Sequence, residues 1–164
     1  AQQSPSAFNV QHWRFVKVND PAKRQTIRDA AWNQTQVTDC SMLLIICADL
    51  KAWKKNPERY WSALPEMVQQ KVVPQIEPYY SSHPQIERDD AMRSVGLIGQ
   101  TIMLAVKGMG YDSCPLAYDY EKVGEVINLP EDHAIGMVLS IGKAVKPAYE
   151  KAGYLPLEEI VLED

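Results

Sequence analysis

The sequence lacks the features of membrane proteins and of disulfide-rich or zinc-binding proteins. Its longest strongly apolar run, residues 42–48, is far shorter than the roughly 20 residues of a membrane-spanning helix. The 3 cysteines, Cys40, Cys47 and Cys114, are widely spaced, so we expect reduced, mostly buried thiols and no metal site. No basic segment followed by an apolar stretch opens the chain as a signal peptide would, so we expect a cytoplasmic protein.

Positive charge is also scarce. The chain carries 17 basic and 21 acidic side chains, a formal net charge of −4. Binding to a nucleic-acid backbone needs clustered Lys and Arg that displace counterions, so we expect no nucleic-acid partner. Residues 1–82 carry a charge of +3 and residues 83–164 a charge of −7. An anion site is therefore expected in the first half or on isolated lysines.

Motifs of protein-based catalysis are absent. The sequence contains no Walker loop, nucleophile elbow, His-Glu-x-x-His motif or Rossmann glycine triplet. Its histidines, His12, His83 and His133, are isolated from one another, which favours packing or solvent-facing roles. If the protein is an enzyme, we expect a bound cofactor to supply the chemistry.

What the sequence does contain is the pattern of one domain over residues 1–164 with both helices and strands. With 164 residues, of which 46% are hydrophobic, the chain is long enough for a single core. Period-two and continuous apolar runs predict strands, and longer apolar runs predict helices. The predicted strands are 15–19, 42–48, 112–116 and 134–141, and the predicted helices are 21–33, 89–109 and 120–127.

Three segments carry more specific expectations. Residues 50–84 are rich in Trp, Tyr and Pro and predict a lid or insertion whose helices are cut into short pieces by proline. The helix at 89–109 is apolar nearly all round, so we expect it to be buried on most sides. Gly96 and Gly99 within it suggest close approach of another backbone, such as a second subunit. Residues 160–162 predict a terminal strand that pairs with its own sheet or with a neighbour's.

Small and amide side chains cluster in three places near strand ends: residues 4–15, 33–36 and 114–118. One interpretation is ordinary turn chemistry, in which such side chains cap nearby backbone groups. The other is a polar cradle for a flat, hydrogen-bonding ligand. The residues themselves leave both interpretations open.

Taken together, the three segments resemble the nitroreductase family of FMN-dependent oxidoreductases. The first is similar to the family's Pro-Ser-x-x-Asn-x-Gln-x-Trp-x-Phe motif, with matches at Pro5, Ser6, Asn9, Gln11, Trp13 and Phe15. Residues 110–116, 141–147 and 155–157 follow in the family's order. The resemblance covers nearly the whole chain. It implies an α+β fold, a three-layer α/β/α sandwich whose mixed central sheet is flanked by helices, in an intertwined homodimer.

The same resemblance implies where FMN binds. One subunit would contact the flavin ring and ribityl chain through the loop of Pro5, Ser6, Ala7 and Asn9. Asn33 and Gln36 match the pair that hydrogen-bonds the pyrimidine side of the ring. Many members have Lys at the position of Gln36, so this chain offers a hydrogen bond there without the charge that favours reduced flavin.

The other subunit would cover the ring with a second loop and donate a backbone N–H near N5. That loop consists of Pro115, Leu116, Ala117 and Tyr118, with the N–H near Ala117 and Tyr118. We expect the Tyr118 side chain to narrow the pocket. No side chain is implied as a catalyst.

The phosphate end of the site matches the family less well. Relatives hold the phosphate with paired arginines on an N-terminal segment and with a basic residue before the final Leu-Pro. This sequence begins after the first motif and has Tyr154 at the second place, which leaves Lys151 as the nearest cation. We expect that N-terminal helices precede Ala1 in the natural protein; the alternative is a shortened chain with weakened FMN binding.

The implied function is hydride transfer from NAD(P)H through FMN to nitroaromatic, quinone or similar acceptors by a ping-pong mechanism. Phe8, Tyr79 and Tyr80 are candidates for the substrate side, because planar acceptors stack on aromatic faces. For Trp61, packing of the lid is the preferred interpretation. The alternative function is a truncated dimeric scaffold that binds flavin with weak or no catalysis.

Overall fold

The computed structural model describes residues 1–162, apart from the side chain of Pro84. These residues form four strands and six helices, with short 3₁₀ turns at Ala7–Asn9, Ala52–Lys54 and Pro57–Tyr60. The strands are β1 (Trp13–Val18), β2 (Met42–Asp49), β3 (Asp112–Leu116) and β4 (His133–Gly142). The helices are α1 (Pro21–Ala30), α2 (Gln36–Asp39), α3 (Glu66–Ser82), α4 (Pro84–Gly108), α5 (Tyr120–Val126) and α6 (Leu157–Ile160).

The four strands form one sheet in the order β1-β2-β4-β3. All three pairings are antiparallel, so the mixed sheet expected from the family resemblance is corrected to an antiparallel one within these residues. Strand direction is not encoded in apolar runs, which is why the sequence pattern could not decide it. The central position of β2 confirms the prediction from its continuous apolar run, since five consecutive residues at its end are buried.

Helices cover both faces of the sheet, which confirms the predicted three-layer sandwich. On one face, α1, α2 and α5 pack through Ile27, Val37 and Val123 against β2 and β4. On the other, α4 packs through Val95 and Ile98. The site loops described below emerge where these layers end.

Helix α1 is shorter than the predicted 21–33 segment. The Asp20 side chain caps its start by accepting a hydrogen bond from Ala22 N at 2.9 Å, and Pro21 occupies the first turn. It ends at Ala30 because Trp32 and Asn33 adopt left-handed backbone angles, with φ of 50° and 57°. This turn exposes Asn33 and places Gln36 at the start of α2.

The 50–84 segment contains one long helix rather than the short pieces predicted. Helix α3 runs for 17 residues with Pro74 and Pro78 inside it. Both prolines are exposed and lie four residues apart, so they share the solvent face of the helix. Carbonyl groups that lose their helical partners on that face can bond to water, so the helix continues.

Helix α4 is long, as predicted, but one of its faces is exposed in this chain. Leu97 and Leu104 lie on that face, and Leu104 is 65% exposed. A Cβ at Gly96 would meet no atom within 4 Å, whereas one at Gly99 would lie 2.8 Å from Met137 Sδ. Gly99 is therefore approached by side chains of the chain's own sheet and not by another backbone, which corrects the prediction within the described residues. A single sheet face buries only one side of the helix.

The tail after β4 does not contain the strand predicted at 160–162. Helix α6 includes Ile160, the first residue of the predicted strand, and residues 143–162 are all exposed. A strand needs a neighbouring edge for its backbone hydrogen bonds, and no strand of the described residues pairs with this segment. Residues 163 and 164, at the end of the chain, lie outside the described residues.

Within residues 1–162, none of the helices has the length and apolarity needed to cross a lipid bilayer.

Candidate functional site

The N-terminal loop, residues 4–11, has an unusual backbone conformation. Phe8, Asn9 and Gln11 have φ values of 49°, 56° and 50°, in the left-handed region that non-glycine residues rarely adopt. The Ser6 side chain stabilises this shape, since its Oγ accepts a hydrogen bond from Gln11 N at 2.9 Å. Such strained backbone persists only where surrounding contacts enforce it, and it is common at ligand sites.

Contacts from elsewhere in the chain hold the same loop. Asn9 Nδ2 donates to Tyr60 O at 2.7 Å, and Trp61 Nε1 donates to Phe8 O at 3.0 Å. At the other end of the loop, Ser4 Oγ donates to Thr101 Oγ1 of α4 at 3.0 Å. Pro5 and Asn9 remain exposed, and Ser6 and Ala7 are half-buried.

Aromatic side chains line the inner side of this loop. The Phe8 ring lies edge-on to Tyr79, with centroids 5.1 Å apart. Tyr80 is only 2% exposed and stacks on Trp53 at 5.2 Å, so it packs the core instead of presenting a face to a ligand. Of the three predicted substrate-side aromatics, Phe8 and Tyr79 are the ones that reach the surface.

A buried histidine lies beneath these aromatics, in the packing role that was one of the two favoured by the sequence. His12 is fully buried, and its Nδ1 lies 3.2 Å from Ser94 Oγ. Because the Ser94 hydroxyl donates to Asp90 O at 2.8 Å, Nδ1 of His12 acts as the donor to Ser94 Oγ. Burial lowers the pKa of His12 to about 4. Its partner lies 82 residues away, so no local pattern signals it.

The second polar cluster consists of Asn33, Gln34, Gln36 and the loop 115–118. Asn33 Oδ1 accepts a hydrogen bond from Arg28 Nε at 2.7 Å, which leaves its amide N–H groups available. Gln34 Nε2 donates to Ala117 O at 2.8 Å and so joins the two segments. Sequence reasoning noticed Gln34 in the amide-rich segment but gave it no role, although it makes the contact that builds the cluster. Gln36 is half-buried and donates to Gln34 Oε1 at 3.3 Å.

The loop after β3 divides its side chains between core and surface. Leu116 is buried, and Tyr118 packs against the same core with its hydroxyl 3.5 Å from Ile135 O, so burial raises the pKa of Tyr118 to about 12. In this chain the Tyr118 side chain therefore packs inward against the core. Pro115 and Ala117 are exposed. Within residues 1–162, the backbone N–H groups of Ala117 and Tyr118 donate to no protein acceptor.

The thiols differ in burial. Cys47 is buried and Cys40 is half-buried, but Cys114 beside the loop is exposed, contrary to the expectation of mostly buried thiols at that position. Cys114 lies on β3, an edge strand of the sheet, where its neighbour Pro115 is exposed as well.

Among the described residues, no hydrogen bond joins the N-terminal loop to the second polar cluster. Lys151, the predicted phosphate contact, lies in the exposed tail with its Nζ 4.5 Å from the Tyr154 ring centroid. The chain thus presents two separate half-sites of neutral amide and hydroxyl groups. Such groups suit a planar ligand with carbonyl and ring-nitrogen acceptors.

An ionic cluster lies between β2 and β4. Asp49, Asp132 and His133 bring potential metal-ligand atoms within 4.8 Å of one another. The Lys55 ammonium lies 2.9 Å from Asp49 Oδ1 and 2.6 Å from Asp132 Oδ2, and hydrogen bonds from Lys55 and His133 lower the pKa of Asp132 to about 2. The cluster therefore acts as an ion-pair network that fastens the segment after β2 to the start of β4.

Residues 1–143 match the model of the family described as the Nitroreductase family. Protein DrgA of Synechocystis is 45% identical over 98% of this chain and 80% of its own length. The oxygen-insensitive NADPH nitroreductase of Helicobacter pylori strain 26695 is 30% identical over 93% of this chain and 76% of its own. A crystal structure from Exiguobacterium sibiricum, solved in complex with FMN, superposes with a TM-score of 0.90 at 28% identity, covering 99% of this chain and 81% of that one.

Proposed function

This chain belongs to the nitroreductase family, and from that premise we propose that it is an FMN-dependent oxidoreductase with NAD(P)H as its hydride donor. The Helicobacter relative is named for NADPH, and the Exiguobacterium structure contains FMN, which supports the same cofactor and donor class here. A nicotinamide donor is consistent with the cytoplasmic location that the sequence predicts.

The observation that carries the proposal is the second polar cluster. Its loop offers the N–H groups of Ala117 and Tyr118, and the amide of Asn33 lies exposed at the neighbouring turn. The pyrimidine edge of a flavin carries carbonyl oxygens and ring nitrogens, which need such donors when they leave water. The residues of this structure therefore fit the cofactor that the family implies.

The N-terminal loop supplies the other half of the proposed site. Its strained backbone turns Ser6 and Asn9 toward the surface, where they can contact the ring and ribityl chain. The residues proposed to hold FMN are Pro5, Ser6, Ala7, Asn9, Asn33, Gln36, Pro115, Leu116, Ala117 and Tyr118.

FMN held by these residues would supply the hydride chemistry between NAD(P)H and a nitroaromatic, quinone or similar acceptor, in the ping-pong sequence that we propose. The chain's own residues bind and orient the reactants. The backbone N–H near Ala117 is proposed to donate toward the ring. Phe8 and Tyr79 offer aromatic faces on which a planar acceptor can stack.

We also propose that the protein is a homodimer in which each FMN contacts both subunits. The exposed leucines of α4 and the exposed apolar residues of the tail, including Leu157 and Ile160, form surface that a second copy can bury. Because the two half-sites share no hydrogen bond within one chain, a partner's N-terminal loop can complete the second polar cluster. The exposed terminal segment is free to cross to that partner.

One observation favours the alternative of a flavin-binding module with little or no catalysis. Lys151, the nearest cation for the FMN phosphate, makes no hydrogen bond to either half-site within the described residues. If Lys151 reaches the phosphate in the dimer, substitution by Gln weakens FMN binding; otherwise the substitution has no effect.

Titration with FMN, followed by quenching of flavin fluorescence, tests the proposal. We expect saturable binding at one FMN per chain, weakened about three- to tenfold in Asn33→Leu, since the variant removes one hydrogen-bonding amide. The exposed Gln75→Leu variant on α3 is the matched control and keeps the affinity of the unaltered protein. A protein that binds no FMN would overturn the proposed function.

A further inference from the structure

The strained residues of the N-terminal loop coincide with its contacts to the segment after β2. Phe8 and Asn9 have left-handed φ values, and each makes a hydrogen bond to the 60–61 segment. The Phe8 carbonyl accepts from the Trp61 indole, and the Asn9 amide donates to the Tyr60 carbonyl. Without these two hydrogen bonds, we expect the φ angles of Phe8 and Asn9 to shift toward the negative values that most residues adopt.

The 60–61 segment is itself firmly attached to the body of the protein. Tyr60 Oη donates to Ala52 O at 3.1 Å, and the Trp61 backbone N–H donates to Glu58 O at 3.0 Å. Both aromatic side chains pack against the cluster that contains Val10, Ile76 and Tyr80. The segment can therefore act as a fixed support for the loop.

We propose that Tyr60 and Trp61 are positioning residues for the cofactor, holding the N-terminal loop in the conformation that presents Ser6 and Asn9 to FMN. This inference rests on the proposed function. It assigns to Trp61 a polar role in addition to the packing role predicted from the sequence. Since coupling between two sites is reciprocal, FMN binding also stabilises the 60–61 segment.

Trp61→Phe is the direct test because it keeps an aromatic ring and removes the indole N–H. We expect the dissociation constant for FMN to rise about three- to tenfold, the loss of one hydrogen bond. We also expect the visible circular dichroism of bound FMN to change. Before FMN is added, hydrogen exchange should accelerate at the amides of Asn9, Val10 and Gln11, whose acceptors lie within the loop.

Trp53→Phe is the matched control. It removes another indole hydrogen bond from the same aromatic region, the one from Trp53 Nε1 to Glu87 Oε2. We expect it to lower the unfolding midpoint while leaving FMN affinity and loop exchange unchanged. A purely structural role for Trp61 would give the same result in both variants.

A second measurement needs no variant. In the unaltered protein, FMN binding should slow hydrogen exchange at the Trp61 amide, whose acceptor is Glu58 O. Unchanged exchange there, or an unchanged FMN affinity in Trp61→Phe, would overturn the inference while the proposed function stands. Failure of the unaltered protein to bind FMN would overturn both.

Discussion

At the scale of single residues, His12 shows what the fold adds to the sequence, which favoured a packing or solvent-facing role without choosing between them. Isolated in the chain, it becomes a fully buried, neutral group beneath the aromatic side chains of the candidate site. No sequence pattern links it to Ser94, because contacts between distant segments depend on the fold as a whole. The residues proposed to bind FMN, by contrast, lie in local sequence motifs, so the family resemblance could single them out without knowledge of the fold.

The lowered pKa of His12 predicts a specific dependence of stability on pH. In the unfolded chain His12 becomes protonated as pH falls below about 6.5, whereas in the folded chain it stays neutral until about pH 4. The free energy of unfolding should therefore fall as pH decreases through this window, by up to about 3 kcal/mol from His12. Urea denaturation at a series of pH values measures the effect.

Carboxylates also titrate in this range, so the comparison has to be between variants. His12→Phe should show a shallower decline of stability than the unaltered protein between pH 6.5 and pH 4. His83→Gln, at an exposed position, should keep the full decline. Identical slopes in all three proteins would show that His12 is not held neutral by burial.

Gln34 carries a second residue-scale prediction. Its amide donates to Ala117 O at 2.8 Å and to Ala31 O at 3.0 Å, so it fixes the loop that offers the free N–H groups. Gln34→Met should weaken FMN binding about three- to tenfold by releasing that loop. Fluorescence titration beside Gln75→Met, which alters a surface amide on α3, checks the expectation; equal affinities in the two variants would contradict it.

At the scale of elements, the order and type of the long segments could be predicted, but some boundaries and breaks could not. The central strand β2 follows from its apolar run, and α4 from its apolar length. Helix α3 escaped prediction because the effect of a proline depends on whether the freed carbonyl faces water, which sequence alone does not reveal. The segment 160–162 forms no strand with the chain's own sheet, because a strand needs a neighbouring edge; pairing with a second copy stays a prediction.

The prolines of α3 give a prediction about helix stability. Pro74→Ala restores a backbone donor and the higher helix propensity of alanine on an exposed face. We expect the free energy of unfolding to rise by about 1–2 kcal/mol, after allowance for the greater freedom of the unfolded chain. Pro57→Ala, at the start of a 3₁₀ turn, should give no increase. A loss of stability in Pro74→Ala, measured by thermal unfolding, would contradict this account of α3.

At the scale of the whole molecule, the question is what buries the apolar surface that this chain leaves exposed. Leu104 and Met109 are 65% and 72% exposed, and the tail adds further apolar side chains. The sequence pattern of α4 predicted burial on most sides, and the single chain supplies cover for only one. This mismatch between the predicted and the observed burial of α4 is what we expect if a second copy of the chain covers the exposed face of the helix.

Leu104→Glu tests that expectation. A charge placed in an apolar interface is costly to bury, so the variant should sediment as a monomer while the unaltered protein sediments as a dimer. Met67→Glu, at an exposed position on α3, should remain dimeric. A monomeric unaltered protein that still binds FMN would contradict the proposal of a shared site.

The most direct test of the central claim is anaerobic reduction of the FMN-loaded protein by NADH and by NADPH, monitored through the visible absorbance band of oxidised flavin. The account predicts that at least one nicotinamide bleaches the band stoichiometrically and that a quinone added afterwards restores it. A protein that holds FMN but stays oxidised with both nicotinamides would contradict it.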